Sequence, residues 1–310
     1  MPDLILHHYA NSPFSEKVRL VLGYKRIAWH SVFVPPILPK PDVVALTGGY
    51  RRAPFMQIGA DIYCDSTLMC RVIDALQPEP PLYPAATSGI AGIVAQWADT
   101  ALFWTAVPYT TQPAGIAHVL GGAAPEAIKA FGADRAAMNP NFRRPTIADG
   151  AAALHTYLAR LDHLLADGRP FLLGALPCIA DFSAVQSFWF MHLAPPIGAL
   201  LAAYPRLEAW QQRVTAFGHG TVTKMTSAQA IAVAAEGARS PLAFAPEPGL
   251  AQGDEVSVTP TDYAHDPVIG RLVGLSAAEV AIARTDARAG AVQVHVPRIG
   301  FQIKKQQPNP

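Results

Sequence analysis

Cysteine is scarce in this 310-residue chain: Cys64, Cys70 and Cys178 are the only three, and no two stand in a C-x-x-C pattern. That excludes both a disulfide framework and a dithiol redox pair. An excess of charge of one sign is equally lacking. The 24 Lys and Arg nearly cancel 23 Asp and Glu, leaving a net charge of +1 and no electrostatic basis for binding nucleic acid or an anionic membrane. No apolar run reaches the roughly 18 residues of a membrane span before a charge, Pro or Gly interrupts it. Met-Pro-Asp at the start has neither the basic nor the apolar segment of a secretory signal, so a cytoplasmic location is expected. The ten histidines show no zinc-type spacing, and the adjacent His7-His8 would point to opposite sides of a strand, so no metal is expected. A glycine-rich phosphate loop is missing too; Gly48-Gly49 and Gly121-Gly122 read as turns.

What is present suits an α+β multidomain protein. Hydrophobic residues make up 51% of the chain, and its length fits two domains with a small third. The first unit, residues 1–80, alternates strand and helix. A strand at Leu4–Leu6 leads to a helix that Ser12 can cap and Pro13 can start. In that helix Phe14, Val18, Val21 and Leu22 share the inner face, with Glu16, Lys17 and Arg19 expected to face out. Ala28–Val34 reads as a second strand, Asp42–Leu46 as a short helix, and Phe55–Ile58 with Asp61–Cys64 as a hairpin about Gly59. A helix from Ser66 completes a β-α-β-α-β-β-α order.

Pro78–Pro84 is a stiff linker, and beyond it residues 85–240 carry helical periodicity broken by Gly and Pro, which predicts an all-helical domain. A second linker, Pro241–Gly249, leads into period-two patterning. Val256 and Val258, Val268–Leu275, Val280 and Ile282, Val292 to Val296, and Phe301 and Ile303 predict five short strands. Residues 250–310 are therefore expected to form a small all-β unit, separable from the rest, that resembles an SH3-like or Sm-like barrel in strand count.

Two stretches carry a family resemblance. L-I-L-H-H-Y-A-N-S-P-F-S-E-K-V-R-L-V-L, from Leu4 to Leu22, resembles the thioredoxin-fold start of the cytosolic glutathione transferases, in their serine-type form with Ser12-Pro13-Phe14 at the active turn. R-R-A-P-F-M-Q-I-G-A-D-I-Y-C-D-S, from Arg51 to Ser66, follows at the place the first motif requires. F-L-L-G-A-L-P-C-I-A-D resembles the family's capping box, with Asp181 present and Cys178 where Ser or Thr is usual. Y-P-R-L-E-A-W resembles its late helix, so the motifs span residues 4–217.

The resemblance implies glutathione as co-substrate, an apolar electrophile as second substrate, and a homodimer. Ser12 would donate a hydrogen bond to the glutathione thiolate, with Tyr9 and Ser15 as competing donors. Pro54 would be cis, with the Ala53 backbone pairing the cysteinyl unit. Asp65 and Ser66 would hold the γ-glutamyl end at a helix N-terminus, and Lys40, Arg51 or Arg52 the glycyl carboxylate. Phe14, Trp97, Trp104 and Tyr109 would line the cleft for the electrophile. Each has a blander reading: Ser12 and Asp65-Ser66 as helix caps, Ala53-Pro54 as an edge-strand start, the aromatics as core. Two other functions share this fold, a non-catalytic binding or regulatory protein that uses the β extension, and a glutathione-dependent reductase or isomerase. The absence of cysteine from the active turn counts against disulfide reduction.

Overall fold

The structure of the protein, a computed structural model, describes residues 3–306. The outer ends of the expected first and third units, residues 1–2 and 307–310, lie outside the described residues.

Strands β1 (Leu4–His8), β2 (Ala28–Phe33), β3 (Phe55–Ile58) and β4 (Asp61–Cys64) alternate with helices α1 (Pro13–Tyr24), α2 (Pro41–Thr47) and α3 (Ser66–Leu76). β1 pairs parallel with β2 and antiparallel with β3, and β3 pairs antiparallel with β4, which makes the thioredoxin-like unit. The helical unit follows as α4 (Ser88–Trp97), α5 (Phe103–Thr110), α6 (Pro113–Val119), α7 (Pro125–Met138), α8 (Ile147–Leu164), α9 (Ile179–His192), α10 (Pro195–Gly198) and α11 (Pro205–Thr215). A π-helical turn, Ala98–Leu102, joins α4 to α5. At the start of α9 the buried Asp181 carboxylate accepts the N–H groups of Cys178 at 2.9 Å and Leu172 at 2.8 Å and the Trp210 indole N–H at 2.8 Å. The Asp half of the capping box thus works with cysteine at the cap.

Three expectations are corrected. First, Glu16, Lys17 and Arg19 do not face solvent; all three are buried. Helix α1 is packed between the sheet and α9, so it has no free face. Its charges are matched in place: Arg19 to Glu16 at 2.6 Å, and Lys17 to Asp99 of the helical unit at 2.6 Å. Arg19 also donates to His8 at 3.0 Å; burial and that guanidinium bring the His8 pKa down to about 3, so the ring is neutral.

Second, residues 85–240 are not helical throughout. Strand β5 (Thr221–Lys224) runs parallel to β2, Ala28 opposite Thr221, and α12 (Ser227–Glu236) then crosses the sheet to pack on α2. The chain reaches β2 because α1 has glycine at position 23, where a Cβ would lie 2.1 Å from the Gly218 carbonyl oxygen.

Third, the C-terminal strands do not stand apart. β6 (Glu255–Pro260), β7 (Val268–Leu275), β8 (Glu279–Asp286), β9 (Gly290–Pro297) and β10 (Phe301–Lys305) extend the first unit's own sheet. The order is β10-β6-β7-β8-β9-β4-β3-β1-β2-β5, ten strands in one sheet. β9 lies parallel to β4, with Asp61, Ile62 and Tyr63 opposite Gln293, Val294 and His295. One core runs across the seam: Val43, Leu46, Phe55 and Ile62 pack in the same cluster as Leu272, Val280, Val294 and Val296. All four residues of β4 are buried, the mark of an inner strand rather than an edge.

Candidate active site

The pairing of the first unit brings three loops together. His7 of β1 lies opposite Phe55 of β3, and Phe55 lies opposite Cys64 of β4. The segments after β1 (Tyr9 to Ser12), before β3 (Arg51 to Pro54) and after β4 (Asp65, Ser66) therefore leave the sheet at one end. Between that end and helices α5 and α7 lies a cavity of about 1050 Å³, walled by Tyr9, Ser12, Phe14, Lys40, Arg51, Arg52, Ala53 and Trp104 among others.

Ser12 is buried at the N-cap of α1, where its Oγ accepts the Ser15 N–H at 3.2 Å. Its own O–H has no acceptor among the described residues. The hydroxyl is thus a helix cap on its accepting side and a free donor, at the positive end of a helix dipole, on the other. Tyr9 also reaches the wall; its hydroxyl accepts a guanidinium N–H of Arg135 at 3.2 Å. Ser15 is fully buried with its Oγ unpaired and is not on the wall.

The Ala53–Pro54 peptide is cis, and Ala53 stands on the wall with neither its N–H nor its C=O hydrogen-bonded among the described residues. Asp65 has φ 77°, a left-handed value that an L-residue holds only when its surroundings impose it. Its carboxylate caps α3 by accepting the Thr67 N–H at 2.8 Å. Ser66 opens that helix, and its Oγ accepts from the Lys17 ammonium at 3.3 Å. Neither Asp65 nor Ser66 is on the cavity wall; they lie beyond it at the same sheet end.

The three basic candidates differ. Arg51 pairs with Asp134 of α7. Arg52 is spoken for by the C-terminal strands: it binds Asp262 at 2.5 and 3.3 Å, donates to the Tyr263 carbonyl and lies 3.7 Å over the Tyr263 ring. Lys40 donates to the Arg51 carbonyl at 3.0 Å and has no carboxylate partner among the described residues. Burial, with the Arg135 charge, lowers its pKa to about 8.

Of the aromatic residues expected in the cleft, Phe14 and Trp104 line it. Tyr109 does not; it lines a separate cavity of about 230 Å³. Five residues separate it from Trp104, which is about 140° around a helix, so the two cannot share a face. Trp97 packs edge-on against Tyr157 in the core. The sequence reading missed Tyr263, which enters the wall from the β6–β7 loop, and Arg135 of α7. Nothing in the period-two pattern marks that loop as part of a site. All three cysteines are buried; burial pushes the Cys70 and Cys178 thiols up to about 12 and raises Cys64 well above its ordinary value, so none supplies a thiolate.

The glutathione S-transferase N-terminal domain matches residues 6–81, and the C-terminal domain of the same family matches residues 141–213. A GST-like protein from Pseudomonas syringae, known from its crystal structure, is 37% identical with a TM-score of 0.82, over 99% of this chain and 100% of that one. This chain belongs to the glutathione S-transferase family. The similarity to the Pseudomonas syringae protein runs through the C-terminal strands as well as the two family domains. A glutathione S-transferase from Rhodospirillum rubrum F11 shares the fold, at 22% identity and TM-score 0.53 over 68% of this chain and 87% of that one. Pyrimidodiazepine synthase of Drosophila melanogaster is 32% identical over 94 residues, 27% of this chain, and the match spans only 38% of that relative's length. Glutathione S-transferases use glutathione as substrate, and the end of the sheet that carries Ser12 and Ala53 belongs to the matched N-terminal domain.

Proposed function

We propose that this protein is a glutathione transferase in which Ser12 holds the glutathione thiolate while the cavity holds an apolar electrophile. One observation carries the reading: the Ser12 hydroxyl stands on the cavity wall with its accepting side used and its donating side free. A hydroxyl donating to sulfur favours the ionised form and lowers the thiol pKa, and the N-terminus of a 12-residue helix adds to it. Serine acts there without becoming a nucleophile. The burial of all three cysteines speaks against a thiol-based reductase at this site.

The unpaired N–H and C=O of Ala53 suit an extended peptide laid along them like an added strand. Lys40 takes the glycyl carboxylate in this reading, since Arg51 and Arg52 already have carboxylates. Asp65 and Ser66 receive the γ-glutamyl end. An extended tripeptide spans about 10 Å, and Ala53 and the start of α3 lie at the same end of the sheet. The sulfur attacks the electrophilic carbon; the new S–C bond forms as the leaving group departs with the electrons of its own bond. Holding both reactants between the two units supplies the orientation. A homodimer is part of the proposal, with Ile90 and Ile93 exposed on α4.

Calorimetric titration with glutathione and conjugation of 1-chloro-2,4-dinitrobenzene test the reading. Ser12→Ala is expected to lower kcat by about ten- to a hundredfold near neutral pH, the worth of a hydrogen bond to a charged group, with glutathione binding little changed. If Ser12→Ala leaves the pH–rate profile in place and Tyr9→Phe moves it, tyrosine is the thiolate partner and Ser12 is only a cap.

A further inference from the structure

We propose that Tyr263, supplied by the C-terminal strands, is a specificity-determining residue of this cavity, forming with Trp104 and Phe142 an aromatic corner that receives a planar aromatic group of the second substrate. The proposal rests on the transferase reading for the reaction, but its binding surface stands on geometry alone.

The corner is built from three separate parts of the chain. Tyr263 meets Trp104 edge-on, with centroids 5.3 Å apart and planes at 84°, and Trp104 meets Phe142 at 4.9 Å. The series continues from Trp104 to Phe103 at 5.2 Å and from Phe103 to Phe14 at 4.6 Å, next to the Ser12 turn. An aromatic wall therefore runs unbroken from the position of the proposed thiolate to the C-terminal extension. Such edge and face arrangements favour another aromatic ring over an aliphatic chain of equal area.

The loop that carries Tyr263 is fixed rather than draped. Asp262 binds both terminal nitrogens of the buried Arg52, the Tyr263 carbonyl takes a further N–H from it, and the Tyr263 ring lies against its guanidinium. On the far side the Ala264 N–H donates to the Met138 carbonyl at the end of α7, at 2.6 Å. Anchors on both sides hold the ring before any ligand arrives, which lowers the ordering cost of binding. The Tyr263 hydroxyl donates to no protein group among the described residues. The extension thereby gains a role that its position in the sheet does not by itself require.

The test uses the full-length protein with Tyr263→Leu, Tyr263→Phe and Trp104→Leu, each checked for an unchanged melting transition. Affinity is read first with 8-anilinonaphthalene-1-sulfonate by fluorescence, without glutathione, then as KM for 1-chloro-2,4-dinitrobenzene and for an aliphatic enal. Tyr263→Leu and Trp104→Leu are expected to weaken the dye and raise the aromatic KM about tenfold. Tyr263→Phe should stay within about twofold, and the aliphatic KM and glutathione affinity should hold. Unchanged dye affinity in Tyr263→Leu overturns the proposal, as do equal losses for both electrophiles. A Tyr263→Phe defect as large as that of Tyr263→Leu overturns the ring-based account. If the wild-type protein fails to bind glutathione, the transferase reading falls while the dye measurements still decide this one.

Discussion

Replacing Asp61 by Ala removes the polar lock at the seam between the first unit and the C-terminal strands. Asp61 is 1% exposed and accepts the Ser240 N–H at 2.8 Å and the His295 Nε2–H at 3.4 Å. The opposite ring nitrogen of His295 meets Glu279 at 2.5 Å. Losing the carboxylate removes the charge-assisted hydrogen bonds from Ser240 and from the buried His295, a cost of about 2–3 kcal/mol. Spread over 310 residues, that lowers Tm by about 3–5 °C. The effect should depend on pH in a stated direction. Burial pushes the His295 pKa down, but the hydrogen bonds to Asp61 and Glu279 overcome it and raise the pKa above 6.5. That contribution is complete below pH 6.5 and fades as pH rises through the higher folded value. Burial likewise raises Asp61, yet the bonds from His295 and Ser240 hold it below 3.8, so its contribution is complete above that pH and lost only on further acidification. The gap in Tm between wild type and Asp61→Ala should be widest between about pH 4 and about pH 6.5 and narrow as the pH rises through the raised His295 value. Thermal unfolding followed by near-ultraviolet dichroism reads it. A gap that stays constant with pH, or a separate early transition of the C-terminal strands in the wild type, refutes the reasoning.

Lys17→Met should destabilise the fold by about 3–5 kcal/mol in urea titrations, because Asp99 would keep its bonds to Ser183 and Gln186 but lose its buried counter-charge. A loss under about 1 kcal/mol would contradict the pairing. Gly23→Ala should destabilise as well, since its Cβ would meet the Gly218 carbonyl at 2.1 Å; unchanged urea unfolding would mean the approach of β5 to the sheet is looser than described. Light scattering should give a dimer mass, and Ile93→Glu, at a position 66% exposed on α4, should give a monomer; a monomeric wild type at micromolar concentration would contradict the dimer.

The first unit was legible because its signals are local. The Ser12-Pro13 helix start, the Gly59 hairpin and the Asp65 cap each depend on a few neighbouring residues, and the sheet that joins them brings Ser12 and Ala53 to one cavity. What the sequence hid is long-range. Glu16 and Lys17 read as solvated because partners of theirs, His219 and Asp99, lie far along the chain. Period-two patterning located the five C-terminal strands but not the parallel pairing of β9 with β4, since pairing partners leave no periodic trace. Tyr263 and the commitment of Arg52 to Asp262 follow from that pairing and were out of reach for the same reason.

The central claim is that Ser12 stabilises the thiolate of bound glutathione. It is tested most directly by titrating that thiol in the binary complex, following thiolate absorbance in the ultraviolet against pH for wild type and Ser12→Ala. The account predicts that binding to the wild type lowers the thiol pKa below that of free glutathione, and that Ser12→Ala raises it again by about one to two units while glutathione stays bound. A bound thiol that titrates like free glutathione in the wild type, or one whose lowered pKa survives the loss of Ser12, would contradict it.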